Sequence, residues 1–250
     1  MTGPRDRGHV MLAAATTVVL SGSCSFGMPR GATEQGEATF ALWQQYMVAG
    51  VVVAAIVYGL IGWSVIRYRR RRGEDPEALG RQFREHRGLE IFYTAVPVLI
   101  VVVLFALAVR TGNEVDDVAD DPDLQVHVEA FAWGWRFAYP DHDVVVLSES
   151  SGEGVTGPEM VLPLGATVRI VLTSNDVIHS FWVPGFLYKH DAIPGRTFEF
   201  DLTPTEVGTF SGECAEFCGL NHAFMTFSVR VVQPDEFDTW VDQHASEVTT

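Results

Sequence analysis

The amino-acid sequence predicts an N-terminal two-helix transmembrane hairpin followed by an all-β domain, a sandwich or Greek-key barrel of short strands. Three observations carry this. Two charge-free apolar runs, Trp43 to Ile66 and Ile91 to Val109, flank an arginine-rich loop. From Leu124 onward, short β-rich runs alternate in period two and are broken by Gly, Pro, Asn and Asp. Finally, apolar and acidic residues are segregated. The 250-residue chain has a positive mean hydropathy of +0.14 together with a net charge of −15. Residues 114–250 alone hold 24 Asp/Glu against five Lys/Arg, a net of −19.

Residues 1–24 read as an export signal with lipoprotein character. Arg5 and Arg7 form a basic start, and Val10 to Leu20 is an apolar stretch of 11 residues, too short to span a bilayer. Small residues then lead to Cys24, which is either a lipidated N-terminal cysteine or a bystander beside an ordinary cleavage site. Residues 40–110 form the hairpin. Its runs of 24 and 19 residues, at a rise of ~1.5 Å per residue, suit a hydrocarbon core of ~30 Å. Pro97 is expected in the first turns of the second helix, where a missing N–H costs least. The loop from Arg67 to Arg87 carries eight Arg. The positive-inside rule puts it in the cytoplasm, so the C-terminal domain is expected outside a bacterial plasma membrane, on a chain that crosses the lipid twice. A buried hairpin in a soluble protein is the alternative. Residues 114–233 form the β domain. Residues 234–250 read as a short helix over Pro234 to Gln243 and a tail. There is no internal repeat.

A domain this acidic does not suit nucleic acid. It suits a basic protein partner drawn in by the field, or is merely a soluble acidic surface. Three cysteines, Cys24, Cys214 and Cys218, are an odd count and do not suggest a disulfide framework.

The chemistry concentrates in Cys214-Ala-Glu216-Phe-Cys218-Gly-Leu-Asn-His222-Ala-Phe-Met225, with His179 lying 35 residues before Cys214. Taken singly, these residues are ambiguous. The two cysteines could be a disulfide or buried thiols, His179 a plain loop residue, and Met225 core packing. Jointly, thiolate, imidazole and thioether form the donor set that selects copper; calcium and magnesium want oxygen, and zinc rarely uses Met. One cysteine would suit a mononuclear centre, whereas a second makes bridging of two metals possible. A further block, Ala132-Trp133-Gly134-Trp135-Arg136-Phe137, has the aromatic content of a core strand. Glu90 opens the second membrane helix, where a carboxylate is favoured by the helix dipole.

The stretches HSFWVPGFLYKHDAIPGR and GECAEFCGLNHAFM resemble the binuclear copper (CuA) region of cytochrome c oxidase subunit II, and the similarity extends over residues 40–232. The resemblance implies a cupredoxin-like Greek-key sandwich. In it Cys214 and Cys218 would be bridging thiolates, and His179 and His222 would supply one imidazole per copper. Met225 and the Glu216 carbonyl would be the weak axial ligands. It also implies that the Glu216 side chain holds magnesium or manganese at the boundary with subunit I. Trp133 would be the point at which electrons arrive from cytochrome c, although the family usually has a larger residue at Gly134. Glu90 would stand at the mouth of a proton-uptake path. Asp176, Lys189, Asp191 and Arg196 would be partner-interface residues, with Asp176 on the cytochrome side and the others against subunit I, among further oxidase subunits. The implied activity is electron transfer from cytochrome c to haem in subunit I, where oxygen is reduced to water with proton pumping. The rival reading is a membrane-anchored copper chaperone or assembly factor. A quinol oxidase subunit II would have lost the ligands, and a nitrous oxide reductase would need a further catalytic domain.

Overall fold

The structure, a computed structural model, describes residues 25–69, 84–149 and 157–245. The predicted export signal with Cys24, the middle of the arginine-rich loop and the last five residues lie outside the described residues.

Helices α1 (Glu34–Tyr68) and α2 (Arg87–Val115) are both long and apolar enough to cross a membrane. Each is longer than its apolar run. The extension of α1 begins at Thr33, whose hydroxyl caps the helix by accepting the Gly36 N–H at 3.0 Å. Glu34 and Glu37 complement the dipole in the first turn. This extension also joins the helix to the β domain. The Ala32 N–H donates to Gly185 O (2.9 Å), that of Glu34 to Thr203 O (3.0 Å), and that of Thr205 to Ala32 O (2.9 Å). Gly36 permits the contact, since a Cβ there would lie 2.4 Å from Phe186 O. Because α2 starts at Arg87, Pro97 sits well inside the helix rather than in its first turns. Pro97 has no N–H to offer the Tyr93 carbonyl, a loss that membrane-spanning helices tolerate. The Tyr46 hydroxyl ties the two helices by donating to Leu104 O at 2.9 Å.

The β domain has ten strands: β1 (Leu124–Phe131), β2 (Gly134–Tyr139), β3 (Val144–Glu149), β4 (Glu159–Pro163), β5 (Val168–Ser174), β6 (His179–Val183), β7 (Tyr188–Ala192), β8 (Phe198–Leu202), β9 (Gly208–Cys214) and β10 (Thr226–Val232). They form two five-stranded sheets, β3-β2-β1-β5-β8 and β4-β10-β9-β6-β7. Most pairs are antiparallel; β1–β5 and β10–β4 are parallel, as long crossovers between sheets require. The single β-rich stretch 159–175 of the sequence divides into β4 and β5 around Gly165, whose φ of +77° favours glycine. Strands β6 and β7 do not alternate in sequence, because β6 is buried on both faces at its start.

Between the sheets lies an aromatic interior. Trp135, Phe137 and Phe181 are fully buried. Phe227 meets Trp135 edge-on at 5.0 Å and stacks on Phe181 at 4.9 Å. The Tyr139 hydroxyl, also buried, accepts the Val161 N–H at 2.8 Å and donates to Val161 O at 3.0 Å. Helix α3 (Pro234–Ala245) covers this end of the sandwich, setting Trp240 5.1 Å from Tyr139. After α2 the chain is pinned by Asp201, which is buried. Its carboxylate accepts the Ala119 N–H at 2.7 Å and pairs with Arg169.

Candidate metal centre

Three strand ends build the site. The β6–β9 register sets Phe181 opposite Cys214, and the Ala215 N–H donates to Ser180 O at 3.0 Å. On the other side the Cys214 N–H donates to Met225 O at 2.9 Å. Cys214 thus ends the middle strand of three, with His179 at the start of one neighbour and Met225 just before the other. The loop 215–225 closes over them.

The sulfurs of Cys214 and Cys218 lie 3.9 Å apart, and both cysteines are free thiols. Cys214 Sγ has His179 Nδ1 at 3.8 Å and Glu216 O at 3.2 Å. Cys218 Sγ has His222 Nδ1 at 3.6 Å and Met225 Sδ at 3.8 Å. Each sulfur therefore carries its own imidazole and its own weak donor. His179 and Met225 are fully buried, the two cysteines nearly so, and His222 is half-buried.

Electrostatics shows what this donor set lacks. Burial alone would raise the Cys214 thiol, but hydrogen bonding to His179 and to the Ser180 backbone outweighs it and holds the thiol below its ordinary range. Burial pushes the Cys218 thiol up, and the neighbouring Cys214 charge pushes it further. Burial opposes protonation of His179, but Cys214 and Asp176 outweigh that and raise it. A second thiolate at this spacing needs positive charge supplied from outside the chain. Copper supplies that charge and prefers this mixture of sulfur and imidazole, so the residues fit the ion.

Trp133 lies directly against the loop. It occupies the two-residue connection between β1 and β2, half-buried, and its Nε1–H donates to Cys218 O at 3.1 Å. Gly219, with φ of +118°, runs beneath the ring, and a Cβ there would lie 3.1 Å from it. Nothing in the sequence beyond the motif marks Gly219 for this role. At Gly134, a Cβ would meet the Phe131 ring and Ser148 O, each at 2.7 Å. The space a larger residue would need is occupied in this chain by Phe131.

Of the other residues singled out from the sequence, only Asp176 touches a donor side chain among the described residues. The Glu216 carboxylate is exposed on the loop. Lys189 and Asp191 face each other on β7 at 3.6 Å, where Asp191 Oδ1 is buried and accepts no hydrogen bond. Arg196 is exposed in the turn after β7, which closes with its N–H on Ile193 O at 3.1 Å. Asp176 sits three residues before His179 and bonds to its ring. Glu90, at the opposite end of α2 from the sandwich, accepts the His86 N–H at 3.1 Å and so caps its own helix.

A cupredoxin-like sandwich with a soft-metal donor set at one end, joined to two helices fit to span a membrane, defines a class of membrane-anchored copper domains. The family described as "Cytochrome C oxidase subunit II, periplasmic domain" matches residues 124–232, and its companion "transmembrane domain" matches residues 21–110. The chain is 36% identical to "Probable cytochrome c oxidase subunit 2" of Streptomyces coelicolor, over 96% of this chain and 86% of that protein. It is 30% identical to "Cytochrome c oxidase subunit 2" of Mycobacterium bovis, over 96% and 82%. Among solved structures, the periplasmic domain of subunit II of cytochrome oxidase of Bradyrhizobium japonicum is 36% identical, with a TM-score of 0.47, over 52% of this chain and 99% of that one.

The chain belongs to the cytochrome c oxidase subunit II family and is a component of that haem–copper oxidase.

Proposed function

We propose that this subunit accepts electrons one at a time from a cytochrome c at a binuclear copper centre and passes them to haem in subunit I, where oxygen is reduced to water with proton pumping. The observation that carries this is the pairing of donors in one buried pocket beneath Trp133: His179 and the Glu216 carbonyl at Cys214, His222 and Met225 at Cys218. Cys214 and Cys218 would bridge two coppers, the imidazoles would bind one each, and the weak donors would complete the set. When bound, the copper pair supplies reversible one-electron chemistry.

The chain's own residues prepare that chemistry. Strand ends hold Cys214 and His179, so the donors have little to rearrange when charge changes. Burial of His179 and Met225 keeps water from the pocket. Trp133 bridges the outer surface and the loop through one hydrogen bond to Cys218 O. The charge of −19 on residues 114–250 draws a basic cytochrome inward. Phe217 and Leu220 stand 78% and 88% exposed on the loop, which fits burial against partner proteins. The free carboxylate of Glu216 would take magnesium or manganese at the subunit I boundary, with Lys189, Asp191 and Arg196 packing nearby. Glu90 would admit protons from the cytoplasm. The chain would lie in the bacterial plasma membrane with its sandwich outside.

Electron paramagnetic resonance of the detergent-solubilised full chain, loaded with copper, tests the reading. The expected result is two coppers per chain and an unpaired electron shared by two equivalent nuclei. A single Cu(I) per chain supports a chaperone instead. Trp133→Ala is expected to leave that spectrum intact while slowing oxidation of cytochrome c; unchanged turnover removes Trp133 from the path.

A further inference from the structure

Asp176 carries more hydrogen bonds than a docking charge needs. Its Oδ2 accepts the Ala132 N–H at 2.7 Å, on the residue before Trp133. Its Oδ1 accepts the Val177 N–H at 2.6 Å and His179 Nε2–H at 2.8 Å. One carboxylate therefore grips both the β1–β2 connection that presents Trp133 and the imidazole whose other nitrogen, Nδ1, faces Cys214. Three donors converge on two oxygens that can only accept.

We propose that Asp176 is a positioning residue. It fixes the proton of His179 on Nε2, turning the Nδ1 lone pair toward the sulfurs, and it braces the Trp133 connection against the same ring. The inference rests on the copper-site reading above. An ionised carboxylate suits the task because it offers acceptors to all three donors at once. An asparagine offers one oxygen, and its NH2 would oppose a donor, so one of the two grips must be released. Partners that orient a ligating histidine typically contribute about 10- to 100-fold to metal affinity. Asp176 keeps 38% of its side-chain surface, so a charge that only docks the cytochrome is the competing account.

Nitrogen NMR of the metal-free full chain in detergent, with ¹⁵N-labelled histidine, reads the first half directly. His179 is expected to carry a proton on Nε2, hydrogen-bonded to Asp176, whatever the state of Nδ1; a ring protonated on Nδ1 alone overturns the proposal without any variant. Asp176→Asn is expected to lose the fixed Nε2 proton of His179 while the β-domain amide spectrum is retained. In chelator competition it is expected to bind copper about 10- to 100-fold more weakly, with an altered paramagnetic spectrum. If tautomer, affinity and spectrum are all unchanged and only the salt dependence of cytochrome c turnover moves, Asp176 is a docking charge and the proposal fails. A wild-type chain that binds no copper pair defeats the functional reading separately, because the tautomer is measured without metal.

Discussion

The sandwich and the hairpin both carry many large apolar side chains, yet they dispose of them in opposite ways. In the sandwich, Trp135, Phe137 and Phe181 have no exposed surface. In the hairpin, Ile56, Leu60, Val101 and Phe105 are all more than half exposed. The sandwich thus holds its own interior, and its donors can be fixed by this chain alone. The hairpin turns its apolar side chains outward, as helices fit to cross a membrane do. A residue's role can be read from internal contacts in the first region and far less so in the second.

The largest effect that would break this contrast is at the donors. Cys218→Ser is expected to abolish the paired-copper signal and reduce metal content below two per chain by elemental analysis, while the sandwich stays folded. Retention of two coppers would show that the pocket does not depend on its own sulfurs. Next in size is the interior itself. Trp135→Ala should cost about 3–5 kcal/mol in denaturant unfolding of the β domain. A matched truncation in the hairpin, Val101→Ala, should change unfolding by less than about 0.5 kcal/mol. Equal effects would mean that the hairpin is packed as a protein core.

A smaller effect is expected in alkali. Burial raises the Tyr139 hydroxyl above its ordinary range, and burial followed by the carboxylates of Asp116 and Asp201 raises that of Tyr188. A raised folded value means the unfolded chain releases its proton first. Stability from these groups is complete below pH ~10 and falls as pH rises beyond it, by about 1.4 kcal/mol per pH unit for each tyrosine. Tyr139→Phe should remove one such contribution from the slope. It should also cost about 1–3 kcal/mol at neutral pH, since the Val161 N–H and carbonyl lose their partner. An unaltered slope would show that Tyr139 is reached by water.

The same division explains what the sequence discloses. The membrane runs are legible because lipid selects for apolarity along the whole chain. The first turns of α1 are not, since Glu34, Gln35 and Glu37 are polar and join the helix through Gly185, Thr203 and Thr205, far away in sequence. The donors are legible because four of the five side chains fall within twelve residues and few metals accept thiolate, imidazole and thioether together. Strands β6 and β7 escape the period-two test because β6 is buried rather than alternating. The grip of Asp176 on Ala132 spans 44 residues and has no local signature at all.

The smallest expected effect, at Glu90, bears most sharply on the hairpin. Its visible role is local: it accepts the His86 N–H while the His86 ring accepts that of Leu89, a reciprocal cap on α2. Glu90→Gln keeps an acceptor for His86 and loses only the charge at the helix start, worth about 0.3–1 kcal/mol. If capping is its whole role, oxidase turnover and proton pumping in reconstituted vesicles should match wild type. If Glu90 also feeds protons to subunit I, pumping should slow while copper content and helix stability hold, because an amide accepts a hydrogen bond but does not take up a proton from the cytoplasm. Internal contacts would then account for the fold of the hairpin but not for its function.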